Sequence, residues 1–417
     1  NNLVFLLRSF QRICIMNILV IHEIDWIKKV PFEPHHLAEL FSLQGNNVYV
    51  IDCQEPDATS FFEGLSTNIE SYHRLYDDAN VILIHPASLL VKGFNRISHY
   101  LTCKKIIKKI ICDKKIDIIL LYGVATNGMQ TCELSKEFNI PVVFRLLDIA
   151  HGLVTVPFLD KITKSIEKKV FKNVSQILTT TNHLAKYAIS MGSSKEKTEK
   201  FLYGVNTKIF YSKPKNLPLL KKLNFSEKDK ILVFMGTIYD FAGLEQFISK
   251  FYLIEKQFPE IKLLIVGDGP YRNTLEKIIT KFNLDSKIHI TGFVDQKYIP
   301  EYLSLADICI NTFDINNVTK RIIPTKILEY MACGKPVITT PLLGIKEFFP
   351  HDGFGVSFSD SEIFHESIIN LFLDPIKMQK MAIEGNNYIK NNLDWQKITD
   401  ILLKKFQILI KETQINN

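Results

Sequence analysis

RIIPTKILEYMACGKPVITT, residues 321–340, reads as a short helix that runs straight into a strand. Pro324 stands where helices begin and Gly334 where they end. Between them Ile327, Leu328, Met331 and Ala332 fall on one side, so the helix spans about two turns. PVITT (336–340) is rich in β-branched residues and reads as a buried strand. Lys326, Glu329 and Tyr330 share the helix face opposite the apolar one. A helix feeding directly into an apolar strand is the repeating piece of a doubly wound sheet.

The same alternation extends in both directions. Upstream of the helix lie ILVFMG (231–236), a helix over 244–258, IKLLIVGDG (261–269), a helix from Tyr271, KIHITGF (287–293) and ADICINTF (306–313). The polar KPKNLPLLKKLNFSEKDK (213–230) precedes them and marks a domain edge. Before it comes a first series: NILVIH (17–22), NVYVID (47–52), VILIHP (81–86), IDIILLYG (116–123), PVVFRLLD (141–148) and SQILTTT (175–181). A helix from Pro34 to Gln44 sits between the first two strands and stops at Gly45. These strands are apolar almost throughout, as in a parallel sheet covered on both faces. The chain therefore reads as two tandem doubly wound, Rossmann-like α/β domains, at 16–205 and 206–390. An extension at 1–15 precedes them, and a C-terminal helix at 391–417 crosses back to the first domain.

A length of 417 residues agrees with two domains, and 46% hydrophobic with 23% charged residues excludes a largely disordered chain. The net charge of +7 favours anionic partners. Basic residues do not interleave with aromatics along one face, which argues against nucleic acid. Seven cysteines without CxxC or Cys/His spacing give neither a disulfide framework nor a metal site, and fit a reducing cytoplasm. The sequons at Asn173, Asn224 and Asn317 are expected by chance in an Asn-rich chain. Arg8 and Arg12 interrupt the apolar opening run, and no later run approaches a membrane span, so any membrane contact is peripheral.

Ligands of such sheets bind just after strands. GDGPYR (267–272) is a strand-to-helix turn, with Pro270 taken as the first helical residue. In MGTIYDFAGLEQF (235–247), Gly236 lets backbone approach a phosphate. On the face of the 324–334 helix, a carboxylate at Glu329 can accept two hydrogen bonds from a ribose diol, and Lys326 suits a phosphate. The alternative for that pair is an ordinary solvated Lys–Glu contact. His35 and His36, at a helix start, are further cleft candidates, with ordinary surface histidines the plainer reading.

GVNTKIF (204–210), GDGP (267–270), ITGFV (290–294), ADICI (306–310) and PTKILEYMACGKPVITT (324–340), in this order and spacing, resemble the group-one, family four-like retaining glycosyltransferases of the GT-B fold. NILVIHE and PHHLAELFSLQGNNVYVID (34–52) extend the likeness over nearly all of the chain. It implies two Rossmann-like domains facing across a cleft, and transfer of a hexosyl group from a UDP- or GDP-sugar to a sugar or lipid-linked glycan acceptor, with no metal and no further cofactor. Carried over by position, it implies that Glu329 holds the donor ribose and that Gly292, Phe293 and Val294 border the base. Gly236 and Thr237 would lie on the diphosphate, with Pro324 and Thr325 in the donor loop. The family's acidic residue eight positions before the glutamate is Arg321 here, and its Arg and Lys after the first strand of the second domain are Thr237 and Ala242. The usual Gly-Gly turn after the first strand is replaced by HEIDWIKKVPFEPHH (22–36). Arg321 and Lys326 are expected to supply the missing positive charge, and Asp148 or His151 to face the acceptor. The lysine-rich KKIIKKIICDKK (104–115) and KITKSIEKKVFKN (161–173) read either as contact with an anionic membrane, at its cytoplasmic face, or as ordinary solvated helix faces. Other readings are a sugar-nucleotide epimerase of the same fold and a non-catalytic nucleotide-sugar binder.

Overall fold

The computed structural model describes residues 15–56, 64, 66–91, 94–154, 158–316, 319–349 and 354–415. The expected extension, apart from Ile15, and the Asn317 sequon lie outside them. The chain divides into two compact units: one contains residues up to Tyr203 together with Gln396–Asn417, and the other is Gly204–Trp395.

In the first unit the elements run β1 (Asn17–Ile21), α1 (Glu33–Leu43), β2 (Asn47–Ile51), β3 (Asn68–Tyr72), β4 (Val81–His85), α2 (Asn95–Lys114), β5 (Ile118–Leu121), α3 (Gly128–Phe138), β6 (Val142–Leu146), α4 (Leu159–Asn173), β7 (Gln176–Thr179), α5 (Asn182–Ser190) and β8 (Thr198–Lys200). The strands form one sheet in the order β3-β4-β2-β1-β5-β6-β7-β8. All pairings are parallel except that of β3 with β4. β1 lies between β2 and β5, so the winding reverses beside it, and a doubly wound sheet opens its binding crevice at that reversal.

The apolar strands are fully buried because both faces are covered. On one face Cys103, Ile107, Ile110 and Ile111 of α2 join Leu134 of α3 and Val170 and Phe171 of α4 over Leu19, Ile21, Leu121 and Phe144. On the other, Phe41 of α1 meets Phe406 at a centroid distance of 5.6 Å. Phe406 belongs to the last helix, which also ties Lys405 to Glu199 beside β8, at 2.7 Å.

The second unit comprises α6 (Leu217–Lys222), β9 (Lys230–Met235), α7 (Leu244–Ser249), α8 (Phe251–Glu255), β10 (Ile261–Val266), α9 (Arg272–Lys281), β11 (Ile288–Ile290), α10 (Ile299–Ser304), β12 (Ile308–Asn311), α11 (Thr325–Ala332), β13 (Val337–Thr339), α12 (Leu343–Phe348), β14 (Val356–Phe358), α13 (Phe364–Phe372) and α14 (Pro375–Tyr388). The final helix, α15 (Trp395–Ile415), follows. Its sheet is parallel throughout, in the order β11-β10-β9-β12-β13-β14, with the reversal between β9 and β12. The chain enters and leaves this unit through one bridge, Val205 to Asp394, and Gly204 lies flat on the Trp395 ring.

Three strands escape the sequence pattern. β3 (NIESY) is exposed along nearly its whole length, β8 is only TEK and β14 only VSF, so none offers an apolar run. The helix expected over 244–258 is broken at Lys250, whose backbone (φ −106, ψ 2) leaves the helical region. Pro270 precedes the helix it was expected to open, because Tyr271 is the cap and Arg272 the first helical residue.

Candidate functional site

At the carboxyl end of the second sheet, loops from neighbouring strands meet backbone to backbone. Gly236 ends β9 with φ +122 and Gly267 ends β10 with φ +152. A Cβ on Gly267 would stand 2.1 Å from the Gly236 carbonyl oxygen, so no larger residue fits without parting the loops. Gly267 also bridges to Gly292 after β11, bringing a third loop to the same place. Thr312, just past β12, donates its hydroxyl to the Ala242 carbonyl at 2.6 Å and fixes the turn after β9.

Onto this floor comes α11. Pro324 caps it and Gly334 (φ +68) follows its end. Ile327, Leu328, Met331 and Ala332 are buried, as their spacing requires. Tyr330 departs from the expectation that it shares an outer face with Lys326 and Glu329. It is fully buried, and its hydroxyl oxygen accepts the Met235 N–H at 2.7 Å, pinning the helix to β9. Burying a phenol is acceptable when the hydroxyl is paired in this way.

Lys326 reaches back over β9. Its Nζ lies 3.9 Å from the centroid of the Phe234 ring and 4.4 Å from that of Phe313. Nζ is buried and, among the described residues, has no hydrogen-bond partner. A Cβ on Gly236 would stand 3.0 Å from it. An ammonium in this position lies between ring faces and near the Glu329 charge, with its three donors unused among the described residues. Glu329 sits one turn further on and is half-buried, and among the described residues its carboxylate accepts no hydrogen bond. Burial pushes Lys326 down to about 7, opposed by the Glu329 charge, and pushes Glu329 up to about 7, opposed by Lys326. Two adjacent side chains thus have unused hydrogen-bonding capacity, one suited to an anion and one to hydroxyl donors.

This pair predicts a pH signature. Unfolded, Lys326 holds its proton up to its ordinary value of 10.5, but folded only to about 7. In between, the unfolded state binds more protons, so stability rises with pH. For Glu329 the folded state binds more protons between 4.5 and about 7, so stability falls with pH there. The pair should therefore contribute a minimum near neutrality. In thermal melts across this range, Lys326→Met should raise the melting temperature and abolish the pair's rise on the alkaline side. A variant that keeps the same alkaline slope would place the lysine in water.

The other predicted donor-side residues are distributed as follows. Gly292 is buried, Val294 half-buried, and Phe293 is 81% exposed, leaving a ring face open for stacking. Thr237 and Thr325 are exposed and Pro324 is buried. Arg321 is exposed on the loop before α11. Ala242, where the resembling family carries a basic residue, is fully buried with its carbonyl occupied, so this position presents no charge. Asp268 is also engaged locally, pairing with Arg272 at 2.9 Å.

In the first unit Asp148 is exposed just after β6. His151 is held by its Nδ1, 2.6 Å from Glu167 Oε2 and 3.1 Å from the Tyr187 hydroxyl. Glu167 is buried and also accepts the Ala150 N–H, so this loop histidine has a fixed orientation. His35 and His36 are buried rather than at the surface. His35 Nε2 is 3.0 Å from the Trp26 carbonyl, and His36 Nδ1 is 3.0 Å from the Tyr76 hydroxyl.

Sequence reasoning did not single out two features. Phe234 and Phe313, which cradle Lys326, are read from sequence only as core residues, although Phe234 lies two positions before Gly236. His22 stacks on Tyr122 at 4.9 Å, with a buried Nδ1 that has no partner among the described residues, and burial lowers it to about 3, which keeps it neutral. A histidine directly after the first strand, where the family has glycine, was the available signal.

Residues 218–388 match the family Glycosyl transferases group 1. An uncharacterized glycosyltransferase of Methanocaldococcus jannaschii is 24% identical over 283 residues, 64% of this chain and 69% of the relative. The alpha-monoglucosyldiacylglycerol synthase of Acholeplasma laidlawii is 23% identical over 361 residues, 82% of this chain and 83% of that one. Among solved structures, Anabaena HepE in complex with UDP superposes with a TM-score of 0.72 at 16% identity, covering 94% of this chain and 100% of HepE. With the family match lying on the unit that holds Lys326 and Glu329, that unit carries the group 1 glycosyl transferase match, and the chain has the GT-B fold.

Proposed function

We propose that the protein transfers a hexosyl group from a UDP- or GDP-sugar to a hydroxyl of a sugar or lipid-linked glycan, with retention and without a bound metal. The bond from the sugar C1 to the diphosphate breaks with its electron pair leaving on the diphosphate. The acceptor oxygen bonds C1, and its proton passes to the departing diphosphate. The observation that carries this reading is the Lys326 ammonium, buried against the glycine that ends β9 without a hydrogen-bond partner among the described residues. That is where a leaving diphosphate needs a cation, and a charge fixed in advance in a dry site needs no reorganisation during the reaction. Glu329 is positioned one turn away for the ribose, and the open face of Phe293 for the base. Arg321 is available from the preceding loop. Asp148 and His151 are the acceptor-side candidates in the first unit, and a lipid-linked acceptor would bring the protein to the cytoplasmic face of an anionic membrane.

Melting the protein with UDP, GDP, ADP and their sugars tests the donor half. Ligand at about 100 times Kd stabilises by roughly 2.7 kcal/mol. Glu329→Ala removes two charge-assisted hydrogen bonds at about 1.5 kcal/mol each or more, so affinity should fall about 100-fold. No response to any nucleotide, or an unchanged response in Glu329→Ala, would remove the donor site from this unit.

One observation favours a second reading. With Ala242 buried and Thr237 uncharged, the site has fewer cations than the family pattern supplies, as a non-catalytic nucleotide-sugar binder would. Such a protein gives the melting response but transfers no sugar.

A further inference from the structure

The loop after β6 holds its histidine more tightly than a surface loop requires. β6 ends at Leu146, and one turn of tight helix, Ala150–Leu153, follows before α4 begins. In that turn the Gly152 N–H donates to the Ile149 carbonyl at 3.1 Å and the Val154 N–H to the His151 carbonyl at 3.3 Å, so the backbone is closed on itself. His151 is the second residue of the turn, and its side chain is 22% exposed.

Two helices converge on its ring. Glu167 comes from α4 and Tyr187 from α5. The Glu167 carboxylate is fully buried and serves three donors: the Ala150 N–H at 3.0 Å on Oε1, with His151 Nδ1 at 2.6 Å and the Tyr187 hydroxyl at 2.8 Å on Oε2. The Tyr187 oxygen also lies 3.1 Å from Nδ1, with the two ring centroids 5.9 Å apart. Burial and the bond to Glu167 push the Tyr187 hydroxyl above its ordinary value, so it remains a donor to the carboxylate.

These contacts decide where the imidazole carries its hydrogen. A carboxylate offers only lone pairs, so the nitrogen that touches it, Nδ1, is the protonated one, and in the neutral ring Nε2 is bare. Among the described residues Nε2 makes no hydrogen bond. Ala150 and Tyr187 alone would tie the loop to the helices through Glu167. The histidine adds an oriented lone pair at the carboxyl end of a parallel strand, where ligands of such sheets bind. Asp148 stands three residues earlier on the same loop and is exposed. From Asp148 to His151 the side chains are therefore a carboxylate, two apolar groups and a ring lone pair, with no neutral donor. Hydroxyls match such a rim, and a phosphate is repelled by it.

We propose that Glu167 and Tyr187 are positioning residues that hold His151 with Nε2 bare, and that Nε2 and the Asp148 carboxylate select an acceptor with neighbouring hydroxyls, a sugar ring rather than a phosphorylated or single-hydroxyl compound. This rests on the acceptor half of the reading above. Because the reacting hydroxyl sends its proton to the diphosphate, Nε2 takes its hydrogen bond from a hydroxyl beside it, and no proton is transferred to the ring.

The test uses the full chain with isotope-labelled histidine ring nitrogens, followed by NMR, the His151 signals being those lost in His151→Ala. The wild type should show hydrogen on Nδ1 and a bare Nε2. Glu167→Gln should reverse this, because its amide N–H can donate to Nδ1 while its carbonyl keeps the Ala150 N–H. Tyr187→Phe, which leaves the carboxylate in place, should keep the wild-type tautomer, and unchanged signals from the other histidines show that each variant is folded. Methyl α-glucoside, methyl α-mannoside and methyl α-galactoside are then added, with glucose 6-phosphate and cyclohexanol for contrast. At least one glycoside should shift the Nε2 signal, and the contrast compounds should not. Glu167→Gln should weaken that glycoside about tenfold, as Kd or as acceptor KM with kcat little changed, the usual effect of one hydrogen bond. Tyr187→Phe should weaken it less, and Glu167→Asp should recover part of the loss. Hydrogen on Nε2 in the wild type, a tautomer indifferent to Glu167→Gln, or an Nε2 signal moved by no glycoside or by glucose 6-phosphate would overturn the proposal. Transfer to a glycoside that is unaffected in both Glu167→Gln and His151→Ala would overturn it while leaving the transferase reading intact. A glycoside that shifts Nε2 but receives no sugar would defeat the transferase reading and leave this site standing.

Discussion

In a sugar-transfer assay Lys326→Ala is expected to lose about 10²–10³-fold in kcat, the usual effect of removing one preorganised charge stabiliser. The loss should fall on turnover more than on donor affinity, because a diphosphate gains negative charge as it leaves and the cation is worth most at that moment. The fold should survive. Nζ makes no hydrogen bond among the described residues, so truncation orphans no partner there, and the helix stays pinned through Tyr330 and its apolar face. Lys326→Arg should recover only part of the rate, since a planar guanidinium does not fit the space between the Phe234 and Phe313 rings as a compact ammonium does. Turnover within a few-fold of wild type in Lys326→Ala would show that the leaving group is stabilised elsewhere, and Arg321 would be the next cation to remove. The melting experiment on Lys326→Met is a check that needs no substrate. A residue that lowers stability near neutral pH and raises turnover fits the trade-off common at functional sites.

Much of the fold is legible in the sequence because parallel strands covered on both faces must be apolar along their length. That rule marks β1, β2, β4, β5, β6, β7, β9, β10 and β12 without reference to tertiary structure. It fails for β3, an antiparallel edge strand with little to bury, and for the three-residue strands β8 and β14, which are added to sheets already formed. In the site, spacing places Lys326 and Glu329 on one helix, yet spacing alone equally allows a solvated ion pair. What separates the two is the ring platform of Phe234 and Phe313, contributed by a strand 92 residues upstream and a loop 13 upstream of Lys326. Helical periodicity carries no information about partners so distant. Tyr330 is misread for the same reason: its outward position becomes a buried one only because Met235 offers an unpaired N–H.

The first unit contains a buried ion pair that sequence reading passes over, and it carries the largest predicted effect on stability. Arg145 in β6 and Glu33 at the start of α1 are 1% and 0% exposed. Nε of the arginine donates to Glu33 Oε1 at 2.5 Å and Nη2 to Oε2 at 2.8 Å, a bidentate contact, while Nη1 donates to the Phe201 carbonyl at 3.0 Å. The Tyr122 hydroxyl donates to the same carboxylate at 3.2 Å. The network thus joins α1, β6, the end of β5 and the segment after β8. Removing one charge leaves the other buried without compensation, so Glu33→Ala should destabilise the unit by about 3–5 kcal/mol, whereas replacing both members with apolar residues should cost far less. At roughly 2–4 °C per kcal/mol for a unit of this size, the single variant should melt on the order of 10 °C lower. Glu33→Leu combined with Arg145→Met should recover most of that loss, because the remaining Phe201 carbonyl and Tyr122 hydroxyl are neutral and less costly to leave unpaired. A double variant no more stable than Glu33→Ala would mean that the pair is a source of net stability in its own right. A Glu33→Ala melt matching wild type would mean that water reaches Arg145 in solution.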